Sequence, residues 1–304
     1  MTRTCRPLEI TLASLGLLLF SADTLLPAAG QPKKDPGKTM TAAERQELLK
    51  TFNAEFVEIT PGKGKFPGTF VMGTKGGDAS EQPARQVTMS GSFAMARYEV
   101  PQNLWEAVMG KNPSRWTGPR NSVEMLSWQE ATVFCRKATV LMRQSGLLDG
   151  NEEIRLPSEA EWEFCCRAGT TTAYSFGEKA RSANDKGNKA SLADPYAWHT
   201  GNAAGNDPPI GAKKPNAWGL YDMHGYLWEF VADAWHPNYV GAPVDGSAWK
   251  ADEKYVSRII RSGSWRDRHP SLRSAVRVSI PDHAKSDAIG LRCVKATTGP
   301  TSKK

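Results

Sequence analysis

The absences in this chain narrow its function first. Five histidines, His199, His224, His236, His269 and His283, form no His-Glu-x-x-His or other metal-ligand spacing. The chain has no Gly-x-Ser-x-Gly elbow, no P-loop and no dinucleotide fingerprint, so hydrolase and nucleotide-binding chemistry find no support. Beyond residue 30 no apolar run is long enough to cross a bilayer. The net charge of +7 gathers partly at the ends, in Lys33, Lys34 and Lys38 and in Lys303 and Lys304, without interleaved aromatics, and implies no nucleic-acid partner. Cysteine is scarce: the chain holds 5, and none lies between Trp228 and Arg277.

The first 30 residues read as a secretory signal. Arg3 and Arg6 precede an apolar run from Ile10 to Phe20, and Ala28-Ala29-Gly30 offers small residues for cleavage before Gln31. Cys5 lies ahead of the apolar run, which excludes a lipoprotein site. The mature chain is therefore expected to be exported, periplasmic or extracellular, with residues 31–53 a linker and short helix, 54–297 one domain and 298–304 a tail. Four cysteines remain after cleavage, Cys135, Cys165, Cys166 and Cys293, and an oxidising compartment allows them three full pairings.

Inside the domain, three capping boxes mark helix starts: Thr41-Ala-Ala-Glu44, Ser127-Trp-Gln-Glu130 and Ser158-Glu-Ala-Glu161. Pro101 opens a further helix that Gly110 closes. Helical spacing puts Trp128, Ala131, Cys135, Ala138 and Met142 on one inward face, and Trp162 with Cys166 on another. Strands are expected at 69–73, at 85–89 and 93–97 as a pair around Ser90-Gly91, and at 259–262, 274–278 and 289–295. The stretch 170–216 is rich in Gly, Asn, Asp and Ala and reads as loop pinned by Tyr174, Phe176, Tyr196 and Trp198. Short helices, short strands and long loops make an irregular α+β domain.

Five segments in order, RLPSEAEWEF, KPNAWGLYDM, LWEF, RSGSW and IGLRC, resemble the formylglycine-generating enzyme (sulfatase-modifying factor) family. The resemblance implies the formylglycine-generating variant of the C-type-lectin-like fold. It also implies a disulfide between Cys135 and Cys293, a loop-closure stabilisation of about 5 kcal/mol at most. Cys166 matches a second family cysteine whose partner position holds Ser274. In the family two cysteines after the Gly-Ser-aromatic strand bind copper. Here Asp267 stands at the first position, and the second falls near His269 to Leu272. Copper(I) favours thiolates, so copper is not expected.

Asp267 with His269 would suit a harder metal only with a third ligand; an ion-pair cluster of Arg266, Asp267 and Arg268 is the simpler reading. Calcium sites of the family imply Glu229 in one set and Asn202, Asn206 and Asp207 in another, although Tyr226 replaces the asparagine of the first. An arginine matching Arg277 lines the family's substrate groove; the competing assignment is a salt bridge to Glu229 or Asp233. Trp228, Trp265, Arg266, Asp267, His269 and Arg277 are thus the candidate binding residues. The functional expectation is an exported pseudoenzyme that binds a peptide, glycan or partner protein. The alternative is an oxidoreductase of the same family acting on a protein cysteine, or one with altered metal chemistry.

Overall fold

The computed structural model describes residues 40–204, 207–250 and 257–298; the signal segment, the linker up to residue 39 and residues 299–304 of the tail lie outside them. Helix α1 (Ala42–Ala54), α3 (Trp128–Gln144) and α4 (Glu159–Arg167) each begin at the expected capping box, with the Thr41, Ser127 and Ser158 side chains accepting from the third helical N–H and the paired glutamate returning the bond. Between α1 and α3, helix α2 (Gln102–Met109) starts after Pro101 and stops at Gly110, whose φ of +90° suits a residue without a Cβ.

Strands β1 (Phe56–Ile59), β4 (Phe93–Ala96), β5 (Glu152–Arg155) and β10 (Val294–Thr297) form one antiparallel sheet in the order β1-β4-β10-β5. Strands β2 (Thr69–Met72) and β3 (Arg85–Thr88) form a separate two-stranded sheet. The third sheet runs β8-β7-β6-β9, built from β6 (Trp228–Ala234), β7 (Ser257–Arg261), β8 (Val278–Pro281) and β9 (Ile289–Leu291), with β6 and β9 parallel.

Three strand expectations need correction. The segments 85–89 and 93–97 do not pair with each other. All four residues of β4 are buried, and that strand takes β1 and β10 on its two edges, whereas β3 buries only Val87 and suits the small sheet with β2. The strand expected at 274–278 begins only at Val278, because Ser274–Arg277 are used for buried polar contacts. The single strand expected at 289–295 breaks at Arg292–Cys293 into β9 and β10, which serve different sheets. The sequence implies no strand at β1, β5 or β6. Residues 170–204 and 207–216 are loop as expected, with Phe176 stacked between Tyr174 at 5.0 Å and Tyr196 at 4.8 Å.

One apolar cluster gathers around α1, α2 and α3, where the Trp105 and Phe134 rings stack at 5.1 Å. A second surrounds α4 and includes Met72, Trp162, Phe164, Trp218 and Val231, and a small third one joins Tyr174, Ala180, Ala190, Ala193, Ala197 and Leu272. Every residue of α4 is buried, its charges included. Glu163 binds Arg167 and Arg261, and Glu159 binds Arg261 and Arg277, at N–O distances of 2.5–2.9 Å. Burial alone would raise the Glu163 carboxyl; Arg167 and Arg261 outweigh that and hold it below the usual carboxylate range. Deleting one partner from such a layer leaves a buried charge uncompensated, at a cost of about 3–5 kcal/mol.

Candidate functional site

The site is built where β7 ends. Ser262 and Gly263 both take left-handed conformations, φ +93° and +77°. A Cβ on Gly263 would collide with Leu272 Cδ2 and stand 2.8 Å from the Ser271 carbonyl oxygen, so only glycine fits this turn. The turn carries Ser264–Asp267 across the start of β6, where Trp228 sits.

Asp267 Oδ2 accepts three hydrogen bonds, from Trp228 Nε1 at 2.8 Å, Ser264 N at 3.0 Å and Ser264 Oγ at 2.5 Å. Thr200 fastens the same loop from outside, donating its N–H to the Asp267 carbonyl and its hydroxyl to that of Arg266. Asp267 thus closes its own turn and anchors the Trp228 indole. Arg266 turns away from it: its Nη2 meets Asp287 Oδ2 at 2.6 Å and its guanidinium lies 4.7 Å from the Trp265 ring centre. The expected Arg266–Asp267–Arg268 cluster is therefore corrected for Arg266, whose carboxylate partner is Asp287.

Residues that the sequence reading missed complete this face. Arg115 reaches the same Asp287 oxygen at 3.4 Å and stacks on Trp116 at 5.1 Å. Trp265 Nε1 donates to the Asp287 carbonyl at 3.2 Å. Asp287 is buried, while the Arg115 and Arg266 side chains are 52% and 42% exposed. Two arginines converging on one carboxylate leave a net positive charge and spare N–H groups facing solvent, flanked by two indoles. Beneath them, buried Glu124 accepts from Trp116 N at 2.9 Å through Oε1, while its Oε2 has no partner among the described residues; burial pushes its carboxyl up to about 7. The available signal was Arg115-Trp116 itself, an arginine–aromatic pair inside a Pro- and Gly-rich loop.

The remaining expected residues lie elsewhere. His269 opens a short 3-10 turn; its carbonyl accepts the Tyr174 hydroxyl, and burial, with Arg181 and His199 adding, lowers the imidazole pKa. Arg277 does not line this face, a correction to its expected role. It is buried and bonded to Glu159, not to Glu229 or Asp233, because all-buried α4 brings an acid to it that must be neutralised. Glu229 is fully buried, and its two oxygens serve Arg292 and Trp162. A cation there would have to displace a bidentate guanidinium. Tyr226 fills the neighbouring space, donating to the Pro208 carbonyl at 2.6 Å. Asn202 bonds to Asp194 and to His199 N, whereas Asp207 accepts from Asn121; Asn206 lies outside the described residues.

Burial keeps the α4 thiols, Cys165 and Cys166, unreactive. Cys135 and Cys293 bring their sulfurs to 3.9 Å as free thiols. Burial pushes the Cys166 thiol up to about 12, and Ser274 lies beside it. Its neighbour His224 is lowered to about 4 by burial and bonds through Nδ1 to the Leu272 carbonyl, so it is neutral and no base for the sulfur. The donor set at residues 267–272 does not fit a copper centre: it offers no sulfur, and Asp267 Oδ2 already accepts three hydrogen bonds. Among the described residues no group of three or more His, Cys, Asp or Glu side chains is placed to hold a metal ion.

A family model described as the sulfatase-modifying factor enzyme 1-like domain matches residues 55–297. A Paenibacillus barcinonensis protein named chaperone protein LppX is 26% identical over 250 residues, covering 68% of this chain and 79% of that one. The formylglycine-generating enzyme of Bos taurus is 24% identical over 288 residues, 90% of this chain and 72% of that protein. The solved structure of PvdO from Pseudomonas aeruginosa superposes with a TM-score of 0.64 at 30% identity, covering 76% of this chain and 92% of that one.

Proposed function

Because the chain belongs to the sulfatase-modifying factor enzyme 1-like family, we propose that it is an exported member that binds a peptide, glycan or protein and does not generate formylglycine with copper. Its fold is the formylglycine-generating type of the C-type-lectin-like fold. One observation carries the functional reading. Where the family aligns its first catalytic cysteine, this chain has a carboxylate spent on holding Trp228 and Ser264. What faces solvent beside it is a recognition chemistry, the Trp265–Arg266 and Trp116–Arg115 pairs, in residue types enriched where partners bind. The relative named as a chaperone supports a protein partner. Export, and closure of Cys135 with Cys293 in an oxidising compartment, belong to the same proposal. Calcium at Glu229 does not, since Arg292 holds that carboxylate.

The second reading is a family oxidoreductase acting on a protein cysteine, and the relatives named as formylglycine-generating enzymes favour it. It needs a sulfur pair, and the free thiols at Cys165 and Cys166 lie in buried α4. Incubation of the purified chain with copper and a Cys-X-Pro-X-Arg peptide separates the two. We expect no aldehyde and no stoichiometric copper, iron or zinc by metal analysis. Catalytic aldehyde formation overturns the binding reading.

A further inference from the structure

A cavity of about 440 Å³ opens elsewhere in the fold, floored by Arg167 at the end of α4 and by Arg273. That volume falls within the usual range for small-molecule sites. Both guanidiniums are fixed from behind. Arg167 is held by Glu163, by the Gly73 carbonyl and by the Thr172 carbonyl. Arg273 makes a bidentate pair with buried Glu81, both bonds 2.8 Å, and donates to the Pro270 carbonyl. Each retains N–H groups that these bonds do not use, since a guanidinium carries five donors.

The charge behind this floor is unbalanced. Arg167, Arg261, Arg273 and Arg277 share three directly paired glutamates, Glu81, Glu159 and Glu163, so the guanidiniums outnumber the carboxylates that bind them by one. Asp233 borders the network, but burial lifts its carboxyl to about 7 and its oxygens take the N–H groups of Glu159 and Trp249. Guanidiniums that share too few paired carboxylates favour an anion at their nearest wet opening. At the rim Lys75 is exposed and has no partner among the described residues, and Thr74 and Thr171 line the wall beside it. Two acids also border the cavity. Asp78 lies near Arg273, and Glu178 accepts the Ala173 N–H; both are exposed and solvent-screened.

We propose that this cavity is a second ligand site, independent of the Asp267 face, which takes a small oxyanion carried on a hydroxylated molecule such as an acidic sugar. The carboxylate or sulfate lies against Arg167 and Arg273 with Lys75 closing over it, and sugar hydroxyls meet the threonines. The lining holds no aromatic side chain, so a neutral sugar lacks a ring to stack on and is not retained.

Calorimetric titration of the purified chain at low salt with sodium galacturonate, galactose and sodium sulfate tests this. Saturable galacturonate binding with none for galactose is the expected result. Lys75→Glu, a surface change that leaves the thermal midpoint unaltered, weakens that binding about tenfold or more, the worth of one charge-assisted contact. Sulfate bound as tightly as galacturonate, and weakened equally by Lys75→Glu, supports the site and identifies its ligand as the bare anion. Absence of binding for both anions, or equal binding to the Lys75→Glu variant, overturns the proposal. Arg266→Ala leaves these titrations unchanged, so the two sites succeed or fail separately.

Discussion

Asp267→Ala is the perturbation that best separates a structural carboxylate from a ligand-binding one. The side chain's Oδ2 serves the Trp228 indole, 8% exposed, and the N–H and hydroxyl of Ser264, 1% exposed. The hydroxyl can rotate to another acceptor. The indole N–H and the backbone N–H cannot, and each donor left without a partner costs about 1–3 kcal/mol. Water entering beside the half-exposed loop recovers part of this, which places the total at about 2–4 kcal/mol. With a urea slope of about 3 kcal/mol per molar, the upper end for small proteins, the midpoint falls by about 1 M at unchanged slope. Asp267→Asn keeps a carbonyl oxygen in place and should recover at least half of the loss. A solvent-facing ligand group would behave differently, since surface substitutions usually stay within about 0.5 kcal/mol. If the alanine variant unfolds within about 0.2 M of the parent, Asp267 does not brace Trp228, and the argument against a reactive centre at this position loses its basis.

Two further outcomes follow from buried groups. The Glu124 carboxyl is raised by burial from its ordinary 4.5 to about 7, so the folded chain holds that proton more tightly than the unfolded one. Its contribution is full below about 4.5 and is lost as pH rises through 7, in total up to about 3 kcal/mol. Asp222 at about 6 and Asp233 at about 7 act in the same sense, so the test is a difference: urea midpoints at about pH 5 and about pH 8 should diverge less in Glu124→Gln than in the parent, and equal divergence refutes it. Cys135 and Cys293, 158 positions apart with sulfurs at 3.9 Å, should join under mild oxidant and raise the thermal midpoint, with about 5 kcal/mol as the upper stabilisation. Non-reducing peptide mapping reads this directly, and a Cys165–Cys166 product in its place sinks it.

The starts of α1, α3 and α4 were legible in the sequence because each is local: a serine or threonine and a glutamate three residues later satisfy each other within one turn, whatever surrounds them. The family was legible for a related reason, since motifs such as RLPSEAEWEF and IGLRC combine a cap, a buried helix and an arginine in fixed order. Strand partners were not legible. Segment 93–97 looked like the mate of 85–89 because they are neighbours in the chain, yet full burial of β4 demanded two other strands, one of them near the C-terminus.

The same limit governed the site. Sequence alone put Asp267 at the position that the family resemblance aligns with a copper-binding cysteine, with tryptophan and arginine beside it in the chain. Only the tertiary structure decided what each charge does. It gave Asp267 to the Trp228 indole, drew Arg266 and Arg115 onto Asp287, and buried Arg277 against Glu159. The reason is that a side chain's charge partner is chosen by the desolvation it must offset, and that depends on which distant segments fold over it.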